Sequence, residues 1–251
     1  MKTSKNTHDN ERLIIKNVYE ILLKEYKPQG WWPLIELELK DSNSKGYHKG
    51  DYDFPKTELQ RFEIGIGAIL TQNTSWKQVE KAIKNLFQLN LLNPEKLINA
   101  NEDLVKNAIK PAGYFNQKYK KLIIFARFFI DNDQRFVKFK ASRDENTIQK
   151  LRKSLLSLWG IGKETADSIL LYAYSIPIFV IDAYTKRIFQ RLGFKFKDYD
   201  DLQEKFHEAL EKDFKVYQEY HALLVEHAKR FCKVKANCND CPLKSLCKNH
   251  F

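Results

Sequence analysis

All four cysteines of the 251-residue chain lie between Cys232 and Cys247, in the order Cys232-x5-Cys238-x2-Cys241-x5-Cys247. A disulfide scaffold spreads its cysteines along the chain. This crowding points instead to four thiolates on one short loop, closing around a single metal centre in a reducing compartment. The tight Cys238-x2-Cys241 pair seeds the coordination, and Pro242 stiffens the turn. Spacing alone leaves an iron–sulfur cluster and a tetrahedral zinc site both open.

The rest of the chain reads as helix. Gln78–Leu89, Lys118–Ile130 and Thr147–Leu158 repeat apolar residues at three- and four-residue steps. Turn signals such as Leu92-Asn93-Pro94, Pro111-Ala112-Gly113 and Gly160-Ile161-Gly162 separate these stretches. No sustained period-two alternation appears, and Asp41–Pro55, with Ser42, Asn43, Ser44, Gly46 and Gly50, reads as an irregular loop. The expected class is all-α, in a chain long enough for one large domain or two small ones. A hydrophobic share of 43% against 30% charged residues excludes a disordered chain. The N-terminus MKTSKNTHDNERL has no apolar signal region, and no run is long enough to span a bilayer. A cytoplasmic protein without a signal peptide or membrane partner is expected. The net charge of +11 favours a polyanionic partner, because neutralising phosphates releases counterions, although solubility alone would also accept it.

Two local patterns carry possible chemistry. Leu158-Trp159-Gly160-Ile161-Gly162-Lys163-Glu164-Thr165-Ala166 joins two helical patterns through a glycine-rich turn. Glycines permit positive φ, and a hairpin ending at a helix N-terminus presents free N–H groups that can hold a phosphate. An ordinary turn between two helices has the same pattern. Downstream, Asp182 follows the apolar run Ile178-Phe179-Val180-Ile181 and opens an amphipathic helix. It suits an N-cap, and a carboxylate beside a deoxyribose could also stabilise an oxocarbenium-like state and orient water.

In order along the chain, from about Phe62 to Cys247, these pieces resemble the endonuclease III superfamily of helix-hairpin-helix DNA glycosylases. Ile69-Leu70-Thr71-Gln72-Asn73-Thr74 looks like the family's Gln-containing helix start. Ala112-Gly113-Tyr114-Phe115-Asn116-Gln117-Lys118 looks like its DNA-wedge loop; the hairpin, Asp182 and the cysteine loop follow. The resemblance implies two helical domains flanking a DNA-binding cleft. Residues 57–177 form a barrel ending in the helix-hairpin-helix, and residues 1–56 with 178–251 form the cluster domain. It implies a [4Fe-4S] centre on Cys232, Cys238, Cys241 and Cys247, with a first gap one residue shorter than the family's; zinc is the alternative. The implied partner is double-stranded DNA carrying a damaged, flipped-out base, bound by a monomer associated with the nucleoid. Gln72 matches the residue that fills the vacated space and Tyr114 the one that wedges the opposite strand. Asn73, Asn116, Gly160, Gly162, Lys163 and Thr165 complete the expected DNA contacts.

One departure decides the expected chemistry. Bifunctional members carry a lysine at the position of Glu164, whose amine forms a Schiff base and permits strand cleavage. Lys163 is a poor substitute, because one step along a helix rotates a side chain by about 100°. The expectation is a monofunctional glycosylase with Asp182 as catalytic carboxylate and water as nucleophile. Adenine–mismatch members carry a glutamate where this chain has Ala68. Gln29-Gly30-Trp31-Trp32-Pro33 resembles the 3-methyladenine branch, in which aromatic faces attract a cationic alkylated purine. Trp31, Trp32 and Glu164 are therefore the expected base-pocket residues, Glu164 also suiting an early-turn acid favoured by the helix dipole. The insertion Leu34–Arg61 separates the tryptophans from the Gln helix, and Phe62 and Trp76 are further aromatic candidates. The competing readings are a glycosylase/AP lyase for oxidised pyrimidines and a non-catalytic DNA-binding iron–sulfur protein.

Overall fold

The computed structural model describes residues 2–247, with side chains from residue 8 onward. Regular structure among these residues is helical throughout. In chain order the helices are α1 Lys2–Tyr26, α2 Ile35–Lys40, α3 Glu58–Leu70, α4 Trp76–Gln88, α5 Pro94–Asn99 and α6 Glu102–Ile109. They continue as α7 Phe115–Lys138, α8 Glu145–Leu156, α9 Lys163–Ser168, α10 Ala183–Arg191, α11 Tyr199–Ala209 and α12 Phe214–Arg230. A 3-10 turn, Lys110–Ala112, precedes α7, and a π turn, Ile169–Ala173, extends α9. None of these helices is long and apolar enough to cross a membrane.

Polar side chains start most of them. Asn93, Asn101, Asp144, Asp182, Asp198 and Asp213 each accept a backbone N–H in the first turn of the helix that follows. Thr57 and Gln60 form a reciprocal capping box at α3. Each cap satisfies an orphan donor and contributes about 1 kcal/mol.

The chain divides into two compact units, Trp32–Ile176 and Met1–Trp31 with Pro177–Phe251. The boundary expected at residue 57 therefore moves: residues 32–56 belong to the middle unit. The reason is a set of polar ties from this segment to α3 and α4. The Ile35 N–H donates to Glu63 Oε1 at 2.8 Å, Gln60 Nε2 to Glu36 Oε2 at 2.9 Å and Lys84 Nζ to Glu38 Oε1 at 2.7 Å. Irregular spacing hides such ties from a periodicity argument.

In the middle unit α3 is buried along most of its length, with Phe62, Ile64, Ile66, Ile69 and Leu70 in the core beside the polar Gln60 and Glu63. It packs on α4, α7, α9 and the π turn. A Cβ at Gly65 would stand 2.2 Å from the Phe125 ring, so only glycine lets α7 approach so closely. The two helices of the hairpin are clamped by a buried fork: Arg152 Nε and Nη2 on α8 donate to Asp167 Oδ1 and Oδ2 on α9, at 2.7 and 3.0 Å. In the unit made of the two chain ends, α1 packs on α11 and α12, and α10 packs on α12. Its core is aromatic: Phe179 stacks on Phe206 at 4.0 Å, with Tyr217 and Tyr220 edge-on.

Candidate active site

Three of the expected DNA contacts of the middle unit come together through Gln72. Its Nε2 donates to Gly160 O at 3.0 Å and to Thr165 Oγ1 at 2.9 Å, while its Oε1 accepts from Lys121 Nζ at 2.5 Å. The end of α3 is thus tied to the hairpin and to α7. Gly160 has φ +82°, and a Cβ there would meet Lys121 Cε at 2.4 Å. The positive φ favours glycine here, while the flexible Lys121 side chain could shift to relieve the contact. Gly162 differs: it caps α9 with φ −93°, and nothing lies within 4 Å of its hypothetical Cβ. Its exposed backbone leaves the start of α9 open. Lys163 is half-buried and Glu164 exposed in that first turn.

Tyr114 is 67% exposed and left-handed, with φ 47°. Asn116 and Asn73 are exposed as well, Asn73 also at positive φ. Behind Tyr114 lies Lys118, only 2% exposed, whose Nζ donates to Leu70 O at 2.7 Å and to Ala112 O at 2.8 Å. It pins the last turn of α3, just before Gln72, to the turn just before Tyr114. Burial and the neighbouring Lys121 push its pKa down to about 8. Lys118 and Lys121 support the expected DNA contacts, and sequence reasoning missed both. Lys118 stood in the wedge-loop pattern, but nothing there marked it as buried.

The tryptophan pair is split by the unit boundary. Trp32 is a packed residue of the middle unit, 5% exposed, meeting Trp76 and Tyr172 edge-on at 5.2 and 5.5 Å. Its indole lies over Gly67, where a Cβ would stand 3.0 Å from it. Trp31, in the other unit, is half-buried with Lys229 Nζ 5.5 Å from its ring centroid. Phe62 is wholly buried and stacks on Phe125.

In the unit of the chain ends, Asp182 is the N-cap of α10 and only 8% exposed. Its Oδ1 accepts from the Thr185 N–H at 2.7 Å, and its Oδ2 faces His221 Nε2 on α12 at 3.7 Å. Burial pushes the carboxyl pKa up, but His221 and Thr185 together outweigh it and hold Asp182 below its ordinary value. The carboxylate is therefore buried and charged at neutral pH. The cap occupies Oδ1, so a capping role is compatible with a catalytic one.

The four cysteines are free thiols that line one cavity with His227, Phe231, Ile188 and Leu192. Burial raises the Cys241 pKa, and the charges of Cys232, Cys238 and Cys247 add to the effect. Four cysteine side chains lining one cavity are a donor set whose chemistry fits a thiolate-ligated metal group. Among the described residues no three His, Cys, Asp or Glu side chains are grouped to hold a single metal ion. Helix α10 grips the cysteine loop: Arg187 Nε donates to Cys232 O at 2.7 Å, and Arg191 Nη1 to Cys232 Sγ at 3.2 Å and Lys233 O at 2.7 Å. On α12, His227 Nε2 lies 3.7 Å from Cys241 Sγ and its Nδ1 3.0 Å from the Tyr26 hydroxyl.

Comparison with known proteins adds three findings. Residues 66–212 match the HhH-GPD superfamily of base excision DNA repair proteins. A Methanocaldococcus jannaschii protein named as a DNA repair glycosylase is 44% identical over 241 residues, covering 95% of this chain and 98% of its own. Endonuclease III of Rickettsia conorii is 30% identical over 202 residues, 78% of this chain and 90% of its own. Among solved structures, a Helicobacter pylori 3-methyladenine DNA glycosylase bound to 1,N6-ethenoadenine aligns with TM-score 0.65 and 27% identity, covering 88% of this chain and 97% of its own. An endonuclease III–DNA complex shares the fold at TM-score 0.62 and 22% identity, covering 86% of this chain and 96% of its own.

Proposed function

The chain belongs to the HhH-GPD superfamily of base excision DNA repair proteins, a family of DNA glycosylases, and on that premise we propose a monofunctional enzyme that removes an alkylated purine such as 3-methyladenine. Asp182 carries this reading. Thr185 and His221 keep this carboxylate ionised despite its burial, and electrostatic stabilisation of a developing cation is an effect that burial strengthens.

In the proposed reaction the glycosidic C1′–N bond breaks with its electron pair moving to the purine, which cancels the charge of an alkylated cationic base. Asp182 stabilises the oxocarbenium-like sugar and orients a water whose oxygen forms the new bond to C1′. The water's proton leaves to solvent. Little acid catalysis is required, because a cationic purine is already a good leaving group.

The lack of lyase activity is proposed on Glu164, which is exposed and cannot serve as an amine nucleophile. The purine preference is supported by the resemblance of Gln29–Pro33 to the 3-methyladenine branch and by the 27%-identical structure holding an ethenoadenine. Of the two tryptophans, Trp31 is the better candidate for the base, since it is half-buried whereas Trp32 is packed at 5% exposure; Lys229 near the Trp31 ring would have to move aside for a cationic purine. Gln72 and Tyr114 are proposed to enter the duplex. Gln72 must first leave the bonds that tie it to Gly160 and Thr165. Cys232, Cys238, Cys241 and Cys247 would hold a [4Fe-4S] cluster, which when bound supplies a rigid cross-link to the loop that α10 grips.

The test is incubation with methylated duplex DNA and identification of the released base. Free 3-methyladenine is expected from the wild-type protein, and release falls by about a hundredfold or more in Asp182→Asn with DNA affinity retained. A borohydride-trapped covalent adduct would instead support the glycosylase/lyase reading that the endonuclease III relatives keep in view. A colourless, zinc-replete and active preparation would contradict the iron–sulfur assignment; broad absorbance near ~400 nm supports it.

A further inference from the structure

An N-cap engages only one oxygen of an aspartate. At Asp182 the helix holds Oδ1 through the Thr185 N–H at 2.7 Å, which fixes the carboxylate's position but not the direction in which Oδ2 points. In solvent that second oxygen would be oriented by water. Here the residue is buried, and the group that faces Oδ2 is His221 Nε2 at 3.7 Å. His221 is 6% exposed and sits mid-way along α12, a seventeen-residue helix packed against α10. Its ring is therefore held by a separate rigid element, not by a loop. A carboxylate that must face both a sugar and a water needs its two oxygens set to within about 0.5 Å, and supports built on helices achieve this better than loops.

We propose that His221 is a positioning residue for Asp182: it fixes Oδ2 from α12 while the N-terminus of α10 fixes Oδ1. This rests on the reading of Asp182 as the catalytic carboxylate. It gives a role to an imidazole buried on α12 beside Tyr220, Leu223 and Leu224, on a helix that also buries the polar Gln218 and Glu219. The direction of the Asp182 pKa agrees with it, since His221 is the group that chiefly opposes burial there. It also predicts a distinction between side chains by reach. Glutamine can place an amide nitrogen where Nε2 stands, whereas asparagine stops near the position of Nδ1.

The experiment measures single-turnover base release and the Kd for duplex DNA in His221→Leu, His221→Gln, His221→Asn and Asp182→Asn, with the melting temperature of each. His221→Leu is expected to slow release by about a hundredfold at unchanged Kd, the effect of a misplaced reacting group. His221→Gln is expected to recover about tenfold of that loss, and His221→Asn none of it. Should His221→Leu fail to fold, the Gln and Asn pair decides alone, and equal rates in those two overturn the proposal. Wild-type release by His221→Leu alongside an inactive Asp182→Asn overturns the role of His221 and leaves that of Asp182 standing. An Asp182→Asn protein with wild-type release removes the premise itself.

Discussion

Two buried titratable residues of the middle unit, Lys118 and Glu63, show how differently burial acts on a base and an acid. Lys118 remains a donor to two carbonyls, so its ammonium offsets the lost hydration with hydrogen bonds. Glu63 accepts from the Ile35 N–H, yet burial, with Glu36 and Glu38 nearby, pushes its pKa up to about 8. In the folded state it is protonated at neutral pH, while in the unfolded chain it ionises near its usual value of about 4.3. The unfolded state therefore releases this proton first as pH rises. The contribution of Glu63 to stability is whole below about pH 4 and is lost progressively up to about pH 8. Glu63→Gln keeps an oxygen for Ile35 and removes the titration. Its melting temperature, relative to wild type, is expected to rise from pH 5 to about pH 8 and to level off above that. A constant difference across that range would show that Glu63 does not titrate as described. The sequence reveals neither lysine nor glutamate as buried, because each sits at a helical position that a solvated face would fill equally well.

At the scale of elements, much was legible. The three-and-four periodicity and the cap residues foretell the helices, and the ordered motifs foretell the hairpin and the cap at Asp182. What was not legible is how elements are clamped. The fork from Arg152 to Asp167 joins α8 to α9 across fifteen positions, and neither residue carries a local signal for the other. His221, Lys121 and Arg191 were missed for the same reason: pattern shows which face a residue occupies, not which partner it meets. The hairpin glycines illustrate a subtler limit. The pattern offers the conformational freedom of glycine at both positions, but only Gly160 uses it, with positive φ and a crowded Cβ position, while Gly162 is open. The Arg152–Asp167 clamp lends itself to a double-mutant test. Arg152→Leu removes the fork from the wholly buried Asp167 and is expected to cost about 3–5 kcal/mol in urea unfolding. The double variant Arg152→Leu with Asp167→Leu should recover a large part of that loss. If the double variant is as unstable as the two single losses added together, the pair acts through shape and not through charge.

For the whole molecule, the quantity that matters is the excess of 43 lysines and arginines over 32 aspartates and glutamates. A net charge of +11 cannot choose among lesions, but it sets how any duplex is held before a base is examined. Phosphate contacts release condensed counterions, so the logarithm of affinity falls linearly with the logarithm of salt, with a slope of about −0.9 per phosphate neutralised. A footprint of roughly six phosphates would then weaken binding about a thousandfold between 50 and 200 mM salt. The search and the chemistry should separate cleanly on this axis. Undamaged duplex measured by fluorescence anisotropy is expected to show the steep slope for the wild-type protein and the same slope for Asp182→Asn, because the buried carboxylate contacts no phosphate. Lys163→Ala, at the open start of α9, should instead reduce the slope by about 0.9, the loss of one neutralised phosphate. An unchanged slope in Lys163→Ala would remove this lysine from the DNA contacts and leave the hairpin's backbone N–H groups to hold the phosphate without it.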